Sequence, residues 1–307
     1  MDPLEKIDYK FKVIYIFGRG HSGTTIIDLC VARALGGFSG GEIISGLRRV
    51  SDRSLCACGS FLNECDIWGD VHRRIECEGY SVKKFISKSY NITNFFNPNI
   101  NRSLINDFDN ILFSELSVRV PNRILIDSSK ELYRGYCLAL NKNIDVDFIF
   151  VTRNGLSVLA SYRSRLLTNG TVNFLRKKRK IPLILLKFVS AIVLPILVFG
   201  GQTFASAVYV LMNLFTARQI RHINYDKLLD MKTDADFKKL KEELAFDVGA
   251  DRHDATYHPI SGNQIIWQKN YDVSFKKPKV EKQNCGFLDK FLYLLIAFPH
   301  IILRVMS

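Results

Sequence analysis

The sequence lacks the features that mark secreted, disordered or nucleic-acid-binding proteins. Its 307 residues include seven cysteines, an odd number, and Met1 to Lys12 carry charges with no apolar core of a signal peptide. We therefore expect a cytoplasmic protein without a disulfide framework. No internal repeat and no RNA- or DNA-binding signature is found, so no nucleic-acid partner is expected. With 47% hydrophobic and 24% charged residues, the chain can bury a core.

Acidic residues are scarce relative to basic ones. The chain has 30 Asp and Glu against 43 Lys and Arg, and hence a net charge of +13. Five of the basic residues form the run from Arg176 to Lys180, directly before the most apolar part of the chain. This placement favours an anionic membrane surface as the partner of the run. The remaining charge, +13 − 5 = +8, suits a protein that handles anionic ligands.

Charge is almost absent from residues 181–217, where Lys187 is the single charged residue. This stretch is long enough for a membrane span or for a hairpin of two helices broken at the Gly-Gly pair 200–201. Two prolines and the lysine favour a third interpretation, a buried helical layer. We predict an apolar helical insert at about 176–217 and a C-terminal apolar or amphipathic helix at 286–307. Both are candidates for contact with the cytoplasmic face of a membrane.

Short apolar runs alternate with helical patterns along the chain. Lys12 to Phe17 predicts a buried strand, followed by a glycine-rich loop and an apolar helix from Ile26 to Leu35. The same order recurs at 123–140 and at 145–166. Strands that alternate with helices predict an α/β fold with a mostly parallel central sheet and with ligands at the carboxyl ends of the strands.

The glycine-rich loop after the first strand matches two common nucleotide motifs incompletely. Gly18, Gly20 and Gly23 form a G-x-G-x-x-G pattern with Glu42 downstream, as in Rossmann-type NAD enzymes. Residues 36–41, however, are too rich in glycine to be the strand that carries this carboxylate. The spacing also fits a nucleoside triphosphatase, but position 24 is Thr where the phosphate-binding Lys belongs.

A third interpretation keeps the loop and changes the ligand. The backbone N–H groups from Gly20 to Thr25, the hydroxyls of Thr24 and Thr25 and a helix N-terminus would hold one phosphate or phosphosulfate. Arg19 or His21 would add positive charge. The run from Arg19 to Thr25 resembles the 5′-phosphosulfate loop of the sulfotransferases that use 3′-phosphoadenosine 5′-phosphosulfate (PAPS).

A second phosphate motif lies downstream. Arg153 follows a predicted strand, and Ser161 comes eight residues later, which resembles the 3′-phosphate motif of the same family. A guanidinium can hold a phosphate with two hydrogen bonds, and a hydroxyl can donate another. The resemblance implies that PAPS is bound by a set of residues from both motifs, namely Arg19, Gly20, His21, Ser22, Gly23, Thr24, Thr25, Arg153 and Ser161.

Two further segments of the resemblance carry the chemistry. Asp127 to Lys130 resembles the "DSSK" segment of bacterial sulfotransferases, in which the lysine would stabilise the bridging oxygen of the leaving group. Glu42 resembles the acidic residue that acts as the base in tyrosylprotein and related bacterial sulfotransferases, and His21 is the alternative base. The catalytic residues implied by the resemblance are therefore Glu42 and Lys130.

A cysteine motif also resembles a signature of bacterial members of the family. Cys56, Cys58 and Cys65 could hold zinc with Cys77 or His72 as the fourth ligand, form a disulfide, or merely pack in a turn. Because the Cys-x-Cys spacing is poor for tetrahedral zinc, no metal is expected.

Two C-terminal segments complete the resemblance, which spans about residues 12–270. The run from His258 to Asn263 resembles the "H…GN" segment that usually lies near the cofactor, and Tyr225 to Leu228 resembles a strand end that is mostly structural. The resemblance implies a three-layer P-loop-like fold, with helices on both faces of the sheet, over a single domain at 1–285.

The function implied by the resemblance is transfer of a sulfuryl group from PAPS to a hydroxyl of an unidentified acceptor, which could be a carbohydrate, a lipid-linked group or another alcohol. This scheme requires no metal ion. The alternatives are a non-catalytic, membrane-attached nucleotide-binding protein and, more distantly, a Rossmann-type NAD enzyme.

Overall fold

A computed structural model of the protein describes residues 11–47, 55–79, 102–120, 123–141, 144–168, 189–215, 220–228, 234–244, 256–259 and 285–306. Six strands of this part of the chain form a single parallel sheet with the order β5-β4-β1-β3-β2-β6. The predicted α/β fold with a central parallel sheet is therefore confirmed. The strands are β1 (Phe11–Gly18), β2 (Phe38–Gly41), β3 (Ile124–Asp127), β4 (Ile144–Thr152), β5 (Ile220–Asn224) and β6 (Thr256–Tyr257).

The helices of the described residues alternate with these strands over the first half of the chain. They are α1 (Thr24–Leu35), α2 (Ile43–Leu47), α3 (Trp68–Cys77), α4 (Arg102–Arg119), α5 (Leu132–Leu140), α6 (Gly155–Thr168), α7 (Leu194–Phe215), α8 (Tyr225–Leu228), α9 (Asp234–Leu244), α10 (Phe287–Ile296) and α11 (Phe298–Met306).

The strand order decides how the glycine-rich loop is interpreted. The loop follows β1, and β1 lies between β3 and β4, whereas β2 lies between β3 and β6. In the dinucleotide-binding order, about 3-2-1-4-5-6, the second strand pairs with the first and carries the ribose-binding carboxylate. The prediction that residues 36–41 cannot form a strand is wrong, because Phe38–Gly41 is β2. It is the position of β2, away from β1, that separates this sheet from a Rossmann sheet.

The chain forms two compact units. The first contains residues 1–17, 25–149 and 232–274. Its central strands are buried along nearly their whole length, as expected for strands of a parallel sheet that is covered by other elements. Phe11 packs against Phe113 of α4 with ring centroids 5.3 Å apart, and Tyr15 packs against Phe148 of β4 at 6.0 Å.

The second unit contains residues 18–24, 150–231 and 275–307. Its core brings α6, α7 and α10 together. Helix α7 also packs against α11 and β5. The buried cluster consists of Val158, Leu159, Val198, Phe199, Tyr293 and Ala297.

Of the interpretations left open for the apolar insert, the hairpin of two helices broken at residues 200–201 does not agree with the structure. Helix α7 runs through both glycines, preceded by a π-helical turn at Val189–Val193. The segment Ser190–Leu214 has a mean hydropathy of 1.8 and the length of a membrane span, and 33% of its most apolar window is buried. Residues 169–188, with the basic run, lie outside the described residues. The C-terminal segment, predicted as one helix, forms α10 and α11.

Candidate functional site

The glycine-rich loop leaves β1 and enters α1 through a tight turn. The backbone N–H of Ser22 donates to the carbonyl of Arg19 at 3.0 Å, and His21 has a positive φ of 66°. Gly23 has a φ of 92°, and a Cβ there would lie 2.2 Å from the ring of Tyr225. Only glycine fits this position, so the sequence pattern corresponds to a real steric requirement. Thr24, which is buried, begins α1 together with the half-buried Thr25.

The structure brings the loop and the second phosphate motif together within the second unit. Arg153 Nη1 donates to the backbone carbonyl of His21 at 3.1 Å, and His21 Nδ1 lies 2.8 Å from Ser161 Oγ. The rings of His21 and Tyr162 are 4.0 Å apart. The two motifs that the sequence separates by more than a hundred residues therefore form one cluster.

Three polar atoms of this cluster are buried without a hydrogen-bond partner among the described residues. They are Arg19 Nε, Ser22 Oγ and Arg153 Nε. The carboxylate oxygen Asp226 Oδ1 is 4.0 Å from Arg153 Nε, which is too far for a hydrogen bond. Buried donors without partners are costly, and an anion with several oxygen atoms would satisfy them.

Arg19 is held against α7 rather than projecting freely. Its Nη2 donates to the carbonyl of Leu197 at 3.4 Å, and its Cζ lies 5.7 Å from the ring centroid of Tyr162. Gly201 makes this position available, because a Cβ at residue 201 would lie 2.6 Å from Arg19 Nε. The apolar helix thus forms part of the surroundings of the loop.

Helices α7 and α11 also fix the backbone of Arg153. Gln202 Nε2 and His300 Nε2 both donate to the Arg153 carbonyl at 3.1 Å, and His300 Nδ1 accepts from Ser206 Oγ at 3.0 Å. Burial lowers the pKa of His300, which favours the neutral imidazole. A neutral ring with its proton on Nε2 fits both of its contacts.

The side chain of Arg153 is oriented by the segment that begins α8. Its Cζ lies 5.1 Å from the ring centroid of Tyr225. Asp226 accepts from the backbone N–H of Asn154 at 2.7 Å and pairs with Arg304 at 3.1 Å. Sequence reasoning assigned this segment a mostly structural part and missed that it surrounds Arg153. The sequence signal that could have shown this is the position of the segment at the end of a predicted strand of a parallel sheet.

The two residues predicted to be catalytic form an ion pair in the first unit. Lys130 Nζ donates to Glu42 Oε1, and each side chain is 20% exposed. Glu42 follows β2 directly, and Lys130 comes three residues after the end of β3 with a positive φ of 62°. A carboxylate and an ammonium therefore meet at the carboxyl ends of two neighbouring strands.

A buried polar network holds the segment before Lys130. Asp127 accepts from the backbone N–H of Ser129 at 2.9 Å and from Arg134, which also pairs with Asp109. Burial raises the pKa of Asp127 and of Asp109, and the Arg134 charge opposes this shift. The network fixes the conformation from which Lys130 projects.

A third buried carboxyl, that of Asp28, lies beside this network. Ser39 Oγ and Ser128 Oγ donate to the two oxygens of Asp28 at 2.5 and 2.6 Å. Burial raises the pKa of Asp28 to about 7, although both hydroxyls act in the opposite direction. Asp28 links α1, β2 and the segment after β3, and sequence reasoning did not single it out.

His258 lies with the cysteine motif. Its Nδ1 is 3.6 Å from Cys56 Sγ and 3.4 Å from Cys65 Sγ, and Cys58 Sγ is 3.8 Å from Cys65 Sγ. A hydrogen bond between the thiols of Cys56 and Cys65 lowers the pKa of Cys65 and raises that of Cys56. Neither residue considered as a fourth ligand occupies this place, since Cys77 is exposed and His72 pairs with Glu76. The glycine and asparagine of the predicted "H…GN" segment lie outside the described residues.

The chain was compared with protein families, with curated proteins and with solved structures, and a likeness was found among the solved structures. No family model matches the chain, and no curated protein matches it significantly. Among solved structures, the chain is similar to the sulfotransferase domain from the Synechococcus PCC 7002 olefin synthase, with 14% identity and a TM-score of 0.43. The match covers 98% of this chain and 97% of that chain.

Proposed function

We propose that the protein is a sulfotransferase that moves a sulfuryl group from PAPS to a hydroxyl of an acceptor. The observation that carries the proposal is the cluster around the glycine-rich loop, in which Arg19, Ser22 and Arg153 each have a buried polar atom with no hydrogen-bond partner in the part of the chain that the structure describes. These donors suit the phosphate and phosphosulfate oxygens of the donor nucleotide. The "DSSK" segment and Glu42 supply residues of the types that the chemical step needs.

Donor binding is assigned to the loop, Arg153 and Ser161. The backbone N–H groups at the start of α1 and the buried Ser22 hydroxyl would hold the 5′-phosphosulfate. Arg153 and Ser161 would hold the 3′-phosphate. Their contacts with His21 support this assignment, because binding at either phosphate would act on the same cluster.

The chemical step is assigned to Glu42 and Lys130. The acceptor oxygen attacks sulfur in line with the bridging oxygen, and Glu42 takes the hydroxyl proton. The new S–O bond forms while the bond between sulfur and the bridging oxygen breaks, and 3′-phosphoadenosine 5′-phosphate (PAP) leaves. Lys130 stabilises the negative charge that develops on the bridging oxygen.

Three alternatives receive less support. A nucleoside triphosphatase would need the lysine that Thr24 replaces. An NAD enzyme would need β2 beside β1, and the strand order is different. A nucleotide-binding protein without catalysis would have no use for the Glu42–Lys130 pair.

Binding of PAP tests the proposal directly. Isothermal titration of the purified protein with PAP, without added metal, is compared with titration with ATP and with NAD. We expect binding of PAP and much weaker binding of the other two nucleotides. Release of PAP from PAPS in the presence of a panel of hydroxyl acceptors then separates an enzyme from a binding protein. Preference for ATP or NAD would overturn the proposal.

We also propose that the protein works at a membrane surface on a lipid-linked or membrane-proximal acceptor. Helices α7, α10 and α11 expose many large apolar side chains, and Lys290 is the single exposed charged residue among their described side chains. A surface of this kind on a chain with a net charge of +13 suits an anionic bilayer. Its most exposed members are Leu197, Phe204, Leu214, Phe287, Phe291, Leu294, Leu295, Phe298 and Val305.

A further inference from the structure

The cysteine motif has no part in the proposed transfer, yet its side chains converge. Among the described residues, the ligand atoms of Cys56, Cys58, Cys65 and His258 form one group in which all lie within 4.8 Å of one another. Two of the four residues are buried and two are half-buried. Three thiols and an imidazole in one group are the donor set of a common structural zinc site.

The local fold presents three sulfur atoms from a short segment. The backbone of Cys56 and Ser60 closes a turn, with Cys56 N–H donating to Ser60 O at 2.8 Å and Gly59 N–H donating to Cys56 O at 2.9 Å. Leu55 and Phe61, which flank the same turn, form an isolated antiparallel β-bridge. Cys65 then lies just before α3, where the backbone N–H groups of Ile67 and Trp68 donate to its sulfur.

His258 reaches the cysteines from a distant part of the sequence. It follows β6, and its backbone N–H donates to Ser39 O at 3.1 Å, which fixes the end of that strand. Its ring stacks on Phe38 with the planes 16° apart, so that Nδ1 faces the sulfur atoms of Cys56 and Cys65. Trp68 Nε1 donates to the His258 carbonyl at 2.6 Å. The imidazole is therefore oriented by contacts outside the cluster.

Three of the six distances within the group match the edges of a coordination tetrahedron, and all six are within 4.8 Å. With Zn–S of about 2.3 Å and Zn–N of about 2.0 Å, tetrahedral angles place two sulfur ligands about 3.8 Å apart and a sulfur and a nitrogen about 3.5 Å apart. The corresponding distances are 3.8 Å between Cys58 and Cys65 and 3.6 and 3.4 Å from His258 to Cys56 and Cys65. Little rearrangement would be needed to admit the ion.

We propose that Cys56, Cys58, Cys65 and His258 bind one Zn²⁺ ion as a closed structural site. Thiolate and imidazole ligands select zinc over harder cations such as Mg²⁺. Four protein ligands leave no position for substrate, so that the ion stabilises the fold rather than taking part in the transfer. The expectation of no metal considered spacing within the cysteine segment and did not include His258, which is 193 residues from Cys65 in sequence.

Metal content of the full-length protein tests the site without any assay of activity. The protein is purified with zinc in the medium and reducing agent in the buffer, and its metal is measured by mass spectrometry under native conditions and by elemental analysis. We expect one zinc per chain, and in the cobalt-substituted protein the visible and charge-transfer bands of tetrahedral thiolate ligation. Absence of bound metal in the wild-type protein would overturn the proposal.

Variants separate coordination from packing. Cys58→Ser and His258→Ala should lose the metal, whereas His258→Cys, which restores a ligand, should retain it. Cys77→Ser is the matched control, because Cys77 is exposed at the end of α3 and should not affect the metal. Thiol titration of the denatured, metal-stripped wild type should find all seven cysteines free. A count of five, with a disulfide between Cys58 and Cys65, would contradict the zinc site.

Discussion

Arg153 donates a hydrogen bond from its guanidinium to the backbone carbonyl of His21, across 132 residues of sequence. This bond joins two elements of the proposed donor site. Arg153 resembles the arginine that binds the 3′-phosphate in sulfotransferases, and the loop resembles the one that binds the 5′-phosphosulfate. Because Ser161 contacts the ring of the same histidine, both proposed phosphate positions share one set of contacts. Changes at Arg153 should therefore affect donor binding through both its charge and the shape of the loop.

Replacing Arg153 tests the donor site. Arg153→Ala removes a charged donor, and such bonds contribute about 1.5–3 kcal/mol, so that PAP affinity should fall on the order of 10- to 100-fold. Arg153→Lys should recover only part of the affinity, because an ammonium lacks the planar fork of a guanidinium. Isothermal titration measures both, and Arg74→Ala, at an exposed arginine of α3, is the control. Unchanged affinity in Arg153→Ala would remove this residue from the site.

Gly200 and Gly201, which are adjacent in α7, provide a test variant and its matched control. At Gly201, a Cβ would lie 2.6 Å from Arg19 Nε, whereas at Gly200 nothing lies within 4 Å. Gly201→Ala should displace Arg19 and weaken PAP binding. Gly200→Ala should leave binding unchanged and stabilise the protein by about 0.5–1 kcal/mol, the usual gain in a helix interior. Titration and thermal unfolding of both variants measure this, and equal PAP affinities would show that the position of Arg19 is unimportant for binding.

The sequence predicted the elements around the loop well, because each is a strongly periodic local pattern. Predicted strands at 12–17 and 145–151 correspond to β1 and β4, with ends shifted by one residue. The apolar helix predicted from Ile26 to Leu35 corresponds to α1. Such features depend on apolar runs, glycine positions and strand ends, all of which can be read along the chain.

What the sequence did not predict depends on residues far apart. The run Phe38–Gly41 forms a strand despite two glycines, because β3 and β6 supply hydrogen-bonding partners on both sides. Helix α7 continues through Gly200 and Gly201, because packing against α6, α10 and α11 supports it. His258 joins the three cysteines only through the fold.

The effect of burial on Asp28 can be tested through the pH dependence of protein stability. Its pKa is raised to about 7 in the folded protein from 3.8, so that the folded state binds the proton more tightly than the unfolded state. The stability contributed by the protonated carboxyl is therefore fully present below pH 3.8 and is lost as the pH rises through about 7.

The variant Asp28→Asn isolates this effect. Asparagine carries no titrating proton, so that the free energy of unfolding of Asp28→Asn should rise relative to wild type as the pH increases from 4 towards 7, and the difference should be constant above this range. Urea unfolding at a series of pH values measures the difference. A difference independent of pH would show that the carboxyl is ionised in the folded state throughout.

The apolar face of the C-terminal helices predicts binding to anionic bilayers. Phe291 and Leu295 of α10 are 53% and 66% exposed, and a carboxylate at either position would oppose insertion into a lipid interface. The double variant Phe291→Asp with Leu295→Asp should sediment much less with vesicles containing phosphatidylserine than wild type does. Val118→Asp, at an apolar residue of α4 that is 80% exposed, is the control. Equal sedimentation of wild type and the double variant would contradict the membrane proposal.

The Glu42–Lys130 ion pair yields the most direct test of the chemical step. Glu42→Gln keeps the shape of the side chain but cannot accept the acceptor proton, so turnover of PAPS should fall by roughly 10²-fold or more while PAP affinity stays near wild type. Lys130→Ala should also slow turnover, because charge on the bridging oxygen would be left without its cation. Glu78→Gln, at an exposed glutamate that pairs with Arg74, is the control. If the pair were only structural, Glu42→Gln would lower the melting temperature and leave the rate at saturating PAPS unchanged, and His21 would become the candidate base.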